Sequence, residues 1–220
     1  MSEMNIEQAR HNMIEQQIRP WEVLDQKVLD LIADVPREEY VPSAYRNLAF
    51  SDMSIPLGFN EVMMPPKLEA RMLQSLDIQS GDTVLEIGTG SGYVTTLLAK
   101  LARYVYSVDI HEEFVEHARA KLHADGIVNV SIEQGDAAQG WDRYGSYDVI
   151  AITGSLPLLP ESFQNTLNLG GRLFAIIGDS PVMEATLITR VGEHEFQTEG
   201  LFETDLPPLR NALQPERFIL

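Results

Sequence analysis

Residues 83–101, TVLEIGTGSGYVTTLLAKL, constrain the fold more than any other stretch. An apolar run, Thr83–Ile87, is followed by glycines at alternate positions, Gly88, Gly90 and Gly92. Tyr93–Ala102 then carries helical apolar spacing. Strand, tight turn and helix in that order make one unit of a parallel sheet. The alternation continues. Strands are expected at Tyr104–Asp109, Val130–Gln134, Tyr147–Thr153 and Arg172–Gly178, with helices at Glu112–Ala124 and Glu161–Leu167. Apolar-rich strands separated by helices need a parallel sheet covered on both faces. Ala185–Val191 and Glu195–Glu203 have no helix between them, and Gly192–His194 reads as a hairpin turn. The sheet is therefore expected to end with an antiparallel strand. The predicted class is α/β: a doubly wound, mostly parallel seven-stranded sheet.

Residues 1–81 read differently, as a helical cap and loop integrated with the α/β core of residues 82–220. Ile6, Ala9, Met13, Ile14, Gln17 and Ile18 follow helical spacing until Pro20. Val23–Val35 is predicted as a second helix, stopped by Pro36, and Lys67–Leu76 as a third. Between them, Tyr40–Pro66 holds Pro42, Pro56, Gly58, Pro65 and Pro66. It reads as a long irregular loop, the kind that often serves as a lid or binding segment.

Charge and composition limit the partners. Lys and Arg number 16 against 33 Asp and Glu, a net charge of −17. Such a surface repels phosphate backbones and anionic lipid, so neither nucleic acid nor membrane is expected as a partner. No apolar run reaches the roughly 18 residues that a spanning helix needs. With no cysteine there is no thiolate nucleophile or sulfur-bound metal, a composition that suits a cytoplasmic protein. His111, His117 and His123 recur every six residues, which turns them around a helix instead of gathering them on one face. They read as surface residues, and no metal site is indicated.

Doubly wound sheets bind ligands at the carboxyl ends of their strands. Glu86 and the turn Gly88-Thr89-Gly90-Ser91-Gly92 follow the first parallel strand. Asp109-Ile110 closes the second, Gly135-Asp136-Ala137 follows the third and Thr153-Gly154-Ser155 the fourth. A dinucleotide turn wants a third glycine where Tyr93 stands, and a P-loop wants a lysine after Gly92. Both phosphate readings, and with them a dehydrogenase, are weakened. Glu86 beside the turn suits a cation better than a pyrophosphate. The ligand that fits is S-adenosyl-L-methionine, an adenosine with a sulfonium and no phosphate. Glycines let the backbone approach its amino-acid end. Asp109 is placed to accept the ribose hydroxyls and Asp136 to meet the adenine amino group.

At this point the chain resembles the protein-L-isoaspartate O-methyltransferases. "MIEQQIRP" and "VLDLIADVPREEYVP" resemble that family's N-terminal helices, and "SDMSIPLGF" its lead-in to the substrate loop. "VLEIGTGSGY" resembles the donor motif, "GDAAQGW" the adenine-side motif and "LPESFQNTLNLGGRLFAIIG" the region of the fourth and fifth strands. The resemblance implies a Rossmann-like methyltransferase fold. It also implies methyl transfer from S-adenosyl-L-methionine to the free carboxylate of isoaspartyl residues in damaged proteins, a repair activity.

One segment departs from the family pattern. Where the family continues Tyr-Gly-Gln-Thr-Ile-Ser-x-Pro, this chain reads Phe59-Asn60-Glu61-Val62-Met63-Met64-Pro65-Pro66. Family hydroxyls near donor and substrate become Val62 and Met64, and neither side chain donates a hydrogen bond. An inward Glu61 would repel an anionic substrate, while Ser155 could restore one hydroxyl. Met63 and Met64 read as a hydrophobic plug, as the wall of an apolar acceptor pocket, or as bystanders while backbone amides serve the substrate. Three functions stay open: the family's protein or peptide carboxylate as acceptor, a different and apolar small molecule, or donor binding without turnover.

Overall fold

The computed structural model describes residues 5–216. Helix α1 (Ile6–Met13) runs into a π turn over Ile14–Ile18 and a 3-10 turn over Arg19–Trp21, so the first helix ends around Pro20 as the sequence predicts. Helix α2 (Gln26–Asp34) starts three residues later than expected. The carboxylate of Asp25 caps it by accepting the Lys27 N–H.

The expected loop is more ordered than its prolines suggest. Ser43–Leu48 forms a 3-10 segment, and a two-stranded hairpin follows, β1 (Ile55–Gly58) against β2 (Glu61–Met63). Gly58, Phe59 and Asn60 all have positive φ and make the reversal. Strands of three and four residues carry too little alternation to be seen in a sequence. The Phe59 conformation is held from outside, since its ring stacks on His111 with centroids 4.5 Å apart. Helix α3 (Pro66–Leu76) then carries the chain into the core.

The remaining elements are β3 (Thr83–Ile87), α4 (Tyr93–Leu101), β4 (Tyr104–Asp109), α5 (Glu112–Ala124), β5 (Val130–Gln134), β6 (Tyr147–Leu156), α6 (Glu161–Asn165), β7 (Leu167–Asp179), β8 (Val182–Arg190) and β9 (Phe196–Thr204). The seven-stranded sheet has the order β5-β4-β3-β6-β7-β8-β9. Strands β3 to β7 pair in parallel, and β8 and β9 add antiparallel as a meander.

Alternation along β3 divides the core. Val84 joins the apolar cluster that includes α3, α4 and α5, while Leu85 and Ile87 join the cluster that includes Phe163 of α6. Right-handed crossovers explain the division. From β3 the chain winds outward through β4 to β5, then returns past β3 to β6 and winds the other way. The reversal lies between β3 and β6, so the crevice of a doubly wound sheet opens where Gly88 follows β3 and Thr153 lies in β6.

Candidate functional site

A solvent-open hollow with about 680 Å³ of empty space occupies that crevice. Gly88 and Gly90 form part of its floor, and Asp109, Ile110, Gly135, Asp136, Ala137 and Thr153 line it from the neighbouring strand ends. Residues spread over 65 positions of sequence thus converge on one hollow, as the strand-end reading expects. Gly88 has φ +97°, and a Cβ there would sit 2.4 Å from Thr153 Oγ1. That hydroxyl is already committed to the carbonyls of Ile87 and Gly88, at 2.9 and 2.7 Å. Glycine therefore keeps the floor low.

Asp109 organises the turn from the side. Its Oδ2 accepts the Gly90 N–H at 2.8 Å and its Oδ1 the His111 N–H at 2.9 Å. Burial pushes its pKa up, and those two N–H bonds oppose the rise. Asp136 accepts from the Ala138 N–H and, at 2.7 Å, from the Asn211 side-chain amide. His111 is not the surface residue expected of it. It lines the cavity between Phe59 and Phe114.

A second hollow of about 290 Å³ adjoins the first, sharing Leu57, Val62, Gly88, Gly90 and Thr153. Thr89, Ser91, Met63 and Met64 face this smaller space together with Val94 and Glu69. Met63 and Met64 also belong to the main apolar cluster, so they fill core and wall cavity at once.

Three sequence-predicted residues are placed elsewhere. Glu86 does not line either cavity. Alternation along β3 puts it on the α4 side, fully buried, where its Oε2 accepts from the Thr95 and Ser107 hydroxyls at 2.6 Å each. Its Oε1 has no partner among the described residues, and burial pushes its pKa up to about 8. Gly92 faces away too. A Cβ there would come within 3.0 Å of Ala118 on α5, so it permits helix packing and, at φ +80°, caps α4. Ser155 is fully buried and donates at 2.7 Å to the Leu206 carbonyl.

That last bond points to a feature without a sequence signal. Residues 206–210 cross the end of β6 as a strap. The Ser155 N–H donates to Pro207 O at 3.1 Å and the Leu209 N–H to Ser155 O at 2.9 Å. A Cβ at Gly154 would strike Leu209 at 2.6 Å, so glycine lets the strap lie close. The strap lines the large cavity from Leu206 to Arg210. Arg210 binds the hairpin through the Phe59 carbonyl and, at 2.7 Å, Glu61 Oε1. Glu61 lines the large cavity, and a guanidinium balances its charge.

On the other flank, Arg37 is 1% and Glu69 2% exposed, and they form a buried ion pair. Arg37 also donates to the carbonyls of Ala49 and Met64, at 2.9 and 2.7 Å. Burial raises the Glu69 pKa and the guanidinium opposes the rise. The Met64 main chain is thus fixed against α3 from within the core.

A doubly wound sheet with a glycine turn at its switch point and acids at the ends of the next two strands outward, β4 and β5, defines a Rossmann-like methyltransferase fold. Within that class, the chain belongs to the Protein-L-isoaspartate(D-aspartate) O-methyltransferase (PCMT) family, whose profile matches residues 8–211. It is 35% identical over 209 residues to protein-L-isoaspartate O-methyltransferase 2 of Pelobacter propionicus, covering 94% of this chain and 93% of that one. To the Rhodopseudomonas palustris protein-L-isoaspartate O-methyltransferase it is 36% identical over 208 residues, covering 93% and 95%. A crystal structure from Plasmodium falciparum, described as a protein of this kind in complex with S-adenosyl-L-homocysteine, superposes with a TM-score of 0.80 over 96% of this chain and 100% of that one. Its identity is 20%, so that likeness is one of fold.

Proposed function

We propose that this chain transfers a methyl group from S-adenosyl-L-methionine to the free carboxylate of isoaspartyl residues in proteins or peptides. The observation that carries the reading is the continuous hollow over Gly88 and Gly90, flanked by Asp109 and Asp136. Its low glycine floor is a cradle that a single Cβ at Gly88 would block. Asp109 is the acceptor for ribose hydroxyls, Asp136 for the adenine amino group, and Ile110, Phe114 and Ala137 give apolar contact. The bound donor supplies a methyl carbon already activated by its sulfonium charge.

The chain's own contribution is alignment and exclusion of water. A substrate carboxylate of pKa near 4 is ionised at neutral pH, so no side chain has to take its proton. What the site owes that carboxylate is N–H donors. Val62 and Met64 supply none, and the Thr153 hydroxyl is spent on carbonyls. Arg210 lines the cavity with guanidinium N–H groups beyond those held by Phe59 and Glu61. It is the group best suited to meet an anion.

One observation favours a different acceptor as the second reading. Val62, Met63 and Met64 wall the smaller hollow together with an acid, Glu69. Val62 lines the large cavity as well, and there its side chain suits an apolar acceptor better than a carboxylate. The test is incubation with an isoaspartyl peptide and labelled donor. Base-labile methyl incorporation is expected, and Val62→Thr with Met64→Ser should raise it. Tight donor binding with no incorporation by either protein would overturn the isoaspartyl assignment in favour of another acceptor.

A further inference from the structure

Glu69 lines the smaller hollow, and one oxygen of its carboxylate is used by no other group among the described residues. Glu69 is 2% exposed. Its Oε2 is held by Arg37, while its Oε1 is buried without a hydrogen-bond partner among the described residues. A buried acceptor left unpaired costs about 1–3 kcal/mol, a cost that a donor group entering through the hollow would offset.

Position shows which part of a ligand could reach it. The strand order β5-β4-β3 sets Asp136, Asp109 and Gly88 side by side, and the Gly88–Gly90 floor is shared with the hollow that Glu69 lines. A molecule laid with its adenine at Asp136 and its ribose at Asp109 sends its far end over the glycines into the smaller hollow. For an adenosine thioether that far end is an amino acid, with an ammonium and a carboxylate. Arg37 does not line this space, and its donors go to Ala49, Glu69 and Met64. The Ser91 hydroxyl does line it, and its oxygen already accepts from the Tyr93 N–H, which leaves its proton free to donate.

We propose that Glu69 Oε1 receives the α-ammonium of the methyl donor, with the Ser91 hydroxyl beside it for the α-carboxylate. Glu69 thereby selects the amino-acid end of the donor, and Arg37 is the positioning residue that holds the carboxylate in place from behind. This inference rests on the donor-site reading above.

Calorimetry on the full chain tests it with three probes: S-adenosyl-L-homocysteine, its des-amino analogue and 5′-methylthioadenosine. Charged hydrogen bonds of this kind correspond to a change of about ten- to a hundredfold in affinity. Wild type should therefore bind S-adenosyl-L-homocysteine at least about tenfold more tightly than the des-amino analogue. In Glu69→Gln the amide oxygen is retained by Arg37, which turns the NH₂ toward the hollow, where it cannot accept from an ammonium. That variant should lose the discrimination while binding 5′-methylthioadenosine as wild type does. Glu69→Asp keeps the charge beside Arg37 but withdraws the oxygen by one methylene, so it tests the same loss in a fold that is less perturbed. A merely structural Glu69 would weaken all three probes together, and that result, or an undiminished preference in both variants, overturns the inference while leaving the donor site standing. Absence of binding by wild type to any probe overturns the donor reading itself.

Discussion

Replacing Glu86 by glutamine should make the protein more stable at alkaline pH, and the size of the effect follows from where the side chain lies. Its carboxyl is fully buried behind the glycine turn, its only partners among the described residues are two hydroxyls on Oε2, and its pKa rises from 4.5 to about 8. Between those two values the unfolded chain has released the proton while the folded protein still holds it. Stability therefore falls as pH rises, by about 1.4 kcal/mol per pH unit. The full loss above pH 8 is on the order of 5 kcal/mol, of which about 3 kcal/mol falls between pH 6 and pH 9. Glutamine keeps an oxygen for Thr95 and Ser107 and has no proton to lose. Urea unfolding of both proteins across pH 5–9 measures the difference. Asp109 and Glu69 also have raised values but are present in both proteins, so only the Asp109–Glu86 charge coupling, the smallest cause of the Glu86 rise, differs between them. Curves that run parallel across this range would show that Glu86 is not held protonated, and the reasoning about its burial would be wrong.

Gly88→Ala drives a Cβ into Thr153 Oγ1 at a positive φ, so donor affinity should fall more than about tenfold by calorimetry, with a stability loss of about 1–3 kcal/mol. Arg37→Met strips the partner from a 2%-exposed Glu69 and should destabilise by about 3–5 kcal/mol in urea unfolding, far more than any exposed pair such as Arg19–Glu15. Ser155→Ala removes one buried hydrogen bond to the strap, so stability should drop by about 1 kcal/mol. The Ser155 hydroxyl faces Leu206 instead of the cavity, so methyl transfer should otherwise persist; a loss of turnover without loss of donor binding would return Ser155 to the chemistry.

The parallel half of the sheet was legible because its strands are short apolar-rich runs and its helices repeat every three to four residues. Strands β3, β4 and β5 fall on the predicted residues, and β6 and β7 extend beyond them. The hairpin β1–β2 was not legible, since short strands with a proline look like loop and the positive-φ Phe59 depends on His111, 52 positions away. His111 was misread for the same reason: helical periodicity describes its own helix and says nothing of the hairpin that folds over it. Strap residues 206–210 carry no periodic signal at all. Their course is fixed by hydrogen bonds to Ser155 and by the space left at Gly154.

The sequence by itself determined the doubly wound sheet, its glycine turn and the acids at the strand ends, because local propensity and hydrophobic period act over neighbouring residues. Only the tertiary structure decided which way those side chains face. One step along β3 separates Ile87, against the large cavity, from Glu86, sealed behind it. It also decided that Glu69, which reads in sequence as one more acid on a helix, stands buried against Arg37 with an oxygen left over. Such pairings join residues from separate elements, so they exist only once packing has excluded water and set a charge where it must find a partner.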